Sequence, residues 1–560
     1  MGHDRPRGDA QRHGLAPAVQ ARRLPPGDAG AGARRPGRPA GHRKADATGH
    51  DDDPPRHRRR LRAGPDRDGS LEGEGHRPTR RARSLAHAGD PRALARSWRT
   101  LTGSATARTG APSPSGPRRA ESHPELSSVV VALEVLDRAP SWPRLRKAHE
   151  WGSELVPRFR QRVVEPAVSV GPPAWEPDPA FDLDYHLRRV VLPAPGTQRE
   201  LLELAQAFAQ SPLDRGRPLW EALLVEGLAE GRAAYVLKTH HSIADGIAGI
   251  QLFAGIHSRT RKPSARKPRP EPAADGQRGS GVGLALDDLA DTIRALPGAA
   301  RRLAPALGRM AVHPRASTSA GQRLLASARR VATVPASPSD LLGPRAGRVW
   351  RFRTLDVPLV ALKAAGAAGG GSVNDAYLAG LLGGLARYHD AMGAPITDLP
   401  VAVPVSLRRP DDPHGGNRFT AVQIAGPASI ARPLERIAAI RAQILSARVE
   451  PALDLIGLAA PVLSRLPADL AHAARGRMGL QADLSASNFP GLHEDVYIAG
   501  ARVERFYAFG PLPGTAVMAT LVSHQGTCCI TLNCDGEAIA DPDLLTRCME
   551  AAFDEVVAAA

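Results

Sequence analysis

The segment with the most chemical content is His240-His241-Ser242-Ile243-Ala244-Asp245-Gly246. It places two imidazoles side by side, a carboxylate four residues further on, and a glycine that permits a tight turn. Histidine is the side chain whose ordinary pKa suits a base at neutral pH. An alcohol needs such a base, because it is a poor nucleophile until its proton is leaving. The pattern therefore suits acyl transfer from a thioester to a hydroxyl. Asp245 either orients His241 as in a hydrolase triad, or pairs with an arginine and fixes the turn. A His-His pair is also a fragment of many metal sites, but no third ligand follows at a useful spacing, and no metal is expected.

The elements around this segment are legible. Apolar runs at 221–228 and 233–240 flank Glu230-Gly231 and predict a β-hairpin, with a short helix expected over 246–256. The histidines then sit where a strand ends and a helix begins, a position from which side chains reach a cleft. Upstream, SSVVVALEVL at 127–136 reads as a strand. Leu145, Ala148, Gly152 and Leu155 mark one helical face, and Leu201, Leu204, Ala205 and Phe208 mark another. Downstream, Ser372-Val373-Asn374-Asp375 has the form of a capping box opening a helix with Leu378, Leu381, Leu382 and Leu385 on its apolar face. PVAVPVS at 400–406 predicts a strand, 431–448 a helix, and 515–523 with 528–534 paired strands.

Length and charge bound the rest. A chain of 560 residues is too long for one core. Of 74 basic and 57 acidic side chains, 26 and 12 fall in residues 1–120, so the remaining 440 residues are nearly balanced. Residues 1–118 hold Trp98 as their only aromatic and show no sustained period, so they are read as a disordered extension or as sequence from outside the natural frame. A nucleic-acid-binding arm would rest on that segment alone, and no nucleic-acid partner is expected. No apolar h-region opens the chain and no apolar run reaches about 18 residues, so a cytoplasmic protein, soluble or peripheral to a membrane, is expected. The four cysteines, Cys528, Cys529, Cys534 and Cys548, lack zinc spacing and fit a reducing compartment. Residues 261–283 are rich in proline and charge and read as a linker. Beyond it, Leu289 to Met310 alternates leucines with arginines, a pattern that suits either a lipid surface or packing between two halves.

At these motifs the sequence resembles the bacterial wax ester synthase/acyl-CoA:diacylglycerol acyltransferases. Lys238 to Gly246 is similar to their HHxxxDG junction, Pro212-Leu213-Asp214-Arg215-Gly216-Arg217-Pro218-Leu219-Trp220 to their PLDRxRPLW stretch, and Phe181 to Leu187 to the segment before it. Val373-Asn374-Asp375, Pro404 to Arg408, Gly416-Asn417-Arg418 and Ser487-Asn488-Phe489-Pro490-Gly491 resemble motifs of the second half. Phe489 and Leu492 depart from the family's valine and proline. The resemblance implies an α/β (α+β) fold of two chloramphenicol-acetyltransferase-like subdomains with a channel through both, at 119–260 and 347–560, joined by a linker and helical crossover at 261–346. It implies His241 as base, His240 as the partner that shapes the site, and Asp245 and Gly246 as the turn. Pro218, Leu219 and Trp220 would line the lipid side, with Asn374, Asp375, Asn488, Pro490 and Gly491 along the channel. Three of these motifs also have plain structural readings: Asp375 as a helix cap, Trp220 as core, and 488–491 as a turn. The implied reaction moves a fatty acyl group from acyl-CoA, a co-substrate with no further cofactor, to diacylglycerol or a fatty alcohol at a membrane or lipid-droplet surface. Two rivals share the motif or fold: a condensation-type enzyme with a carrier-bound donor, and a lipid-coat protein without activity.

Overall fold

The computed structural model describes residues 128–164, 174–243, 256–262, 327, 336–345, 347–406, 419–448, 482–491, 494–512 and 514–560. The extension at 1–118, Asp245 and Gly246, the 289–310 stretch, and Leu407, Arg408 and Gly416 to Arg418 lie outside them, as does Leu492.

In chain order the first half comprises β1 (Val129–Leu136), α1 (Trp142–Leu155), β2 (Gln161–Val164), β3 (Ala174–Pro177), α2 (Leu183–His186), β4 (Leu187–Val191), α3 (Gln198–Gln210), β5 (Trp220–Glu226) and β6 (Ala233–His240). The second comprises β7 (Trp350–Pro358), α4 (Leu359–Ala368), α5 (Val373–Ala391), β8 (Asp398–Ser406), β9 (Phe419–Pro427), α6 (Pro433–Arg448), β10 (Leu484–Phe489), β11 (Tyr497–Ile498), β12 (Ala501–Phe509), β13 (Val517–His524), β14 (Thr527–Asp535) and α7 (Pro542–Ala558).

Two six-stranded sheets result. The first has the order β11-β12-β1-β6-β5-β4 and the second β7-β14-β13-β10-β8-β9. The expected linear division is therefore crossed, because β11 and β12 come from 347–560 yet complete the first sheet. β12 pairs antiparallel with β1, Val131 opposite Phe509, and no local pattern reveals a partner some 370 residues away. β4 and β5 are parallel, a pairing that requires a crossover, and α3 supplies it. α3 starts on a full capping box, Thr197 with Glu200.

In the second sheet β10 runs parallel to both β8 and β13. β13 and β14 form the expected pair around Gln525-Gly526, both at positive φ, the two-residue turn whose twist suits a hairpin. The predicted apolar face of α5 is buried, and so are Tyr377, Ala379 and Tyr388, because the helix lies between the sheet, α6 and α7. Gly380, Gly383 and Gly384 let α6 and α7 approach: a Cβ on Gly380 would stand 2.4 Å from Phe553. No helix among the described residues is long and apolar enough to cross a membrane.

Candidate active site

β6 is an interior strand whose end is clamped from both sides. The His240 N–H donates to Leu219 O at 3.0 Å and the His241 N–H to Ser128 O at 2.8 Å. The backbone under both imidazoles is thus fixed by β1 and by the chain entering β5. Ile243 N–H closes a turn onto His240 O at 3.0 Å.

The two rings have different surroundings. His240 is buried, 2% exposed, whereas His241 is exposed. His240 Nδ1 accepts the Ser242 backbone N–H at 3.1 Å and lies 2.6 Å from Ser242 Oγ. A backbone N–H only donates, so Nδ1 carries no proton and the neutral ring holds it on Nε2. His240 is enclosed with its Nδ1 turned to Ser242, and His241 lies at the surface.

Beneath the strand, Lys238 is fully buried between α3 and β5. Its Nζ donates to Ser211 Oγ at 2.8 Å and Ser211 O at 3.2 Å, lies 3.4 Å from Glu221 Oε1, and sits 4.5 Å from the centre of the Phe208 ring. Arg188 closes the network on the other Glu221 oxygen. Burial lowers the Lys238 pKa and Glu221 opposes that shift. The network ties β6 to the end of α3, where the PLDRxRPLW-like loop begins.

In the second half, the starts of α5 and the ends of β8, β10 and α6 meet at a cleft of about 250 Å³. Asn488 Nδ2 faces Asn374 Oδ1 at 3.5 Å. Asp375 Oδ2 accepts the Ser372 N–H at 2.7 Å and its hydroxyl at 2.8 Å, and pairs with Arg441 at 3.2 Å. The capping-box reading of Asp375 thus describes its contacts, and the carboxylate is engaged.

The family model of the wax ester synthase/diacylglycerol acyltransferase catalytic domain matches residues 119–377, and that of the WS/DGAT C-terminal domain matches 415–556. A Mycobacterium tuberculosis protein named for diacylglycerol O-acyltransferase activity is 42% identical over 449 residues, 79% of this chain and 90% of its own. This chain belongs to the wax ester synthase/diacylglycerol acyltransferase family. A second M. tuberculosis protein so named is 30% identical, over 77% of this chain and 93% of its own. The wax ester synthase/diacylglycerol acyltransferase of Marinobacter aquaeolei VT8 shares the fold, with TM-score 0.52 and 22% identity over 77% of this chain and 94% of its own. So does the starter condensation domain of rhizomide synthetase in complex with C8-CoA and Leu-SNAC, with TM-score 0.50 and 15% identity over 82% and 96%. The expected two-subdomain acyltransferase fold is the one observed.

Within this acyltransferase fold the other expected site residues divide. Pro218 and Leu219 are buried, and Trp220 is wholly enclosed. The Trp220 Nε1–H donates to Phe159 O at 2.9 Å and its ring stacks on His186 at 4.6 Å. Trp220 is therefore core of the first half and not a wall of the lipid side; its indole faces α1 and α2, behind the sheet. Pro490 is exposed. Gly491 serves packing: a Cβ there would stand 1.9 Å from Ser523 O, so only glycine lets β10 turn against β13. Sequence reasoning did not single out Ser242, Lys238, Glu221, Arg441 or Arg448 as site residues. The only signal for the last two is their spacing of seven on α6, which puts both on one face. Among the described residues no cluster of three or more His, Cys, Asp or Glu could hold a metal ion, and all four cysteines are buried free thiols.

Proposed function

We propose that this chain transfers a fatty acyl group from acyl-CoA to a lipid hydroxyl, of diacylglycerol or a fatty alcohol, with His241 as general base. The observation that carries the reading is the contrast between two adjacent imidazoles on one rigid strand end, His240 enclosed and His241 exposed. The alcohol O–H gives its proton to His241 as the oxygen attacks the thioester carbonyl. The C–S bond then breaks, and the proton passes to the departing CoA sulfur. The ester and the thiol are the products, and no further cofactor enters the balance. His240, held by Ser242, fixes the backbone from which His241 extends.

Such acceptors dissolve poorly in water, so the enzyme works on the cytoplasmic face of a membrane or on a lipid droplet. The basic amphipathic stretch from Leu289 to Met310 supplies the contact. Sedimentation with anionic liposomes that is lost at high salt, and lost when Arg294, Arg301, Arg302 and Arg309 become glutamate, is the expected behaviour.

The deciding assay combines purified protein, one acyl-CoA and a panel of acceptors, following free thiol and ester together. His241→Ala should lower the rate by roughly 10²–10⁴ with the fold retained. A folded His241→Ala protein with full ester formation would remove His241 from the mechanism.

A further inference from the structure

Glu134 and His257 form a buried acid–imidazole contact that the proposed chemistry does not use. His257 Nε2 lies 2.8 Å from Glu134 Oε2, with the two side chains 3% and 1% exposed. The other carboxyl oxygen, Oε1, is buried and has no hydrogen-bond partner among the described residues. Taking a carboxyl group out of water for a single hydrogen bond is unfavourable. A well-packed apolar pair in the same space is often as stable or more so. Stability therefore gives no reason for the contact, whereas its place in the chain does.

Glu134 belongs to β1, the strand whose Ser128 O accepts the His241 N–H at 2.8 Å. The chain is thus tied to β1 at His241 and again at His257, and the sequence between these two ties holds Asp245 and Gly246. Fixing both ends of a stretch removes many of the conformations open to it. An apolar contact would tolerate a small slide of the returning chain, but a hydrogen bond would be lost by it. Beyond His257 the ties are shallower. Ser258 and Tyr497 exchange backbone hydrogen bonds at 2.8 Å in both directions, and Arg261 reaches Asp137 Oδ2 at 2.7 Å and Gly500 O at 3.0 Å. These hold the outgoing chain on β11, the edge of the first sheet, without any buried carboxyl group. We propose that Glu134 and His257 are positioning residues for the transfer reaction, their contact fixing where the chain returns to β1 and so the direction in which it leaves His241. The proposal rests on the reading of His241 as base and adds a buried pair that acts through it.

Steady-state rates of full-length variants, with one acyl-CoA and a short water-soluble alcohol, test it. His257→Gln keeps an N–H where Nε2 stands, whereas His257→Asn carries its N–H nearer the backbone, out of reach of Glu134. The asparagine variant should lower kcat about tenfold and change KM less than about twofold, because a slightly misplaced base slows the chemical step without weakening binding. The glutamine variant should recover most of the rate. Glu134→Leu combined with His257→Leu replaces the pair by packing, should fold, and should show the same loss in kcat, so the test stands even where the asparagine variant does not fold. Arg261→Ala, which cuts an outer and more exposed tie, should stay within about twofold of wild type in both constants. Native kcat in a folded His257→Asn or double leucine variant would overturn the assignment. So would equal losses in the asparagine and glutamine variants, or a loss in kcat matched by a rise in KM, either of which marks packing alone. Full ester formation by folded His241→Ala would instead sink the base reading itself, whatever the pair does.

Discussion

Gln206 Oε1 accepts the backbone N–H of Phe352 at 3.2 Å, a side chain of the first half closing a main-chain donor of the second. β7 is the edge of its sheet, so its outward N–H groups need partners. Gln210 Oε1 takes the Trp350 N–H at 3.3 Å while its Nε2 donates to Arg348 O at 2.7 Å, and Gln198 Nε2 reaches Thr354 Oγ1 at 2.7 Å. The match is geometric. Four residues of helix advance about 6 Å and two residues of strand about 6.6 Å, so Gln206 and Gln210 meet alternate residues of β7. Gln206→Leu should cost about 1–3 kcal/mol in urea denaturation, since it leaves a buried N–H unpaired. Gln206→Glu, which keeps an acceptor, should lose less. A leucine variant of native stability would show that α3 holds β7 by apolar packing alone.

His149 should make the enzyme acid-sensitive. It is buried behind the first sheet, where Nδ1–H donates to Leu145 O at 2.9 Å and Nε2 accepts from the Tyr235 hydroxyl at 2.7 Å. Burial, only partly offset by the bond to Leu145, pushes its pKa down to about 4. Between that value and 6.5 the unfolded chain binds a proton that the folded one does not, so stability falls as pH falls through this window. The loss approaches roughly 3 kcal/mol near pH 4. Stability curves at stepped pH should be flatter there for His149→Phe, at some cost at neutral pH from the lost Tyr235 hydrogen bond. An unchanged slope would assign the acid sensitivity to other groups.

Trp220 should behave as core. Trp220→Ala removes a fully enclosed indole packed on Phe159, His186 and His149, and should cost about 3–5 kcal/mol. Trp220→Phe keeps most of the packing and loses the hydrogen bond to Phe159 O, so about 1–2 kcal/mol is expected. Acyl-chain preference should stay the same in Trp220→Phe. A shift in chain-length profile without a drop in melting temperature would put the indole at the lipid channel after all.

Asp543 joins the halves by charge, through Arg353 of β7 at 2.7 Å and Arg199 of α3 at 3.3 Å. The hydrogen bond from Arg353 is the main cause of its lowered pKa. A carboxylate with a depressed folded pKa contributes stability above its unfolded value and loses it as pH drops through the folded one. Because the side chain is 45% exposed, solvent screens the contribution to below about 1 kcal/mol. Asp543→Asn should thus be slightly less stable than wild type at neutral pH and converge with it in acid. A gap that widens as pH falls would contradict the pairing.

By itself the sequence determined what is local. The β5–β6 hairpin, the Ser372–Asp375 cap and the β13–β14 turn each follow from residues within a few positions of one another, and so does the placement of His240 and His241 at a strand end. Periodicity names the apolar face of α5, and motif resemblance names the family. Only the tertiary structure decided partners. β12 enters the first sheet beside β1, the glutamines of α3 close the edge of β7, Trp220 turns inward, and Arg441 and Arg448 come to share a cleft with Asn374 and Asn488. The physical reason is that side-chain type and spacing set which surface seeks burial or a hydrogen bond, whereas what meets that surface depends on pairing between segments hundreds of residues apart. The same holds for the histidines: their chemistry is written in the motif, but which of the two is enclosed is set by Ser242 and the strands on either side.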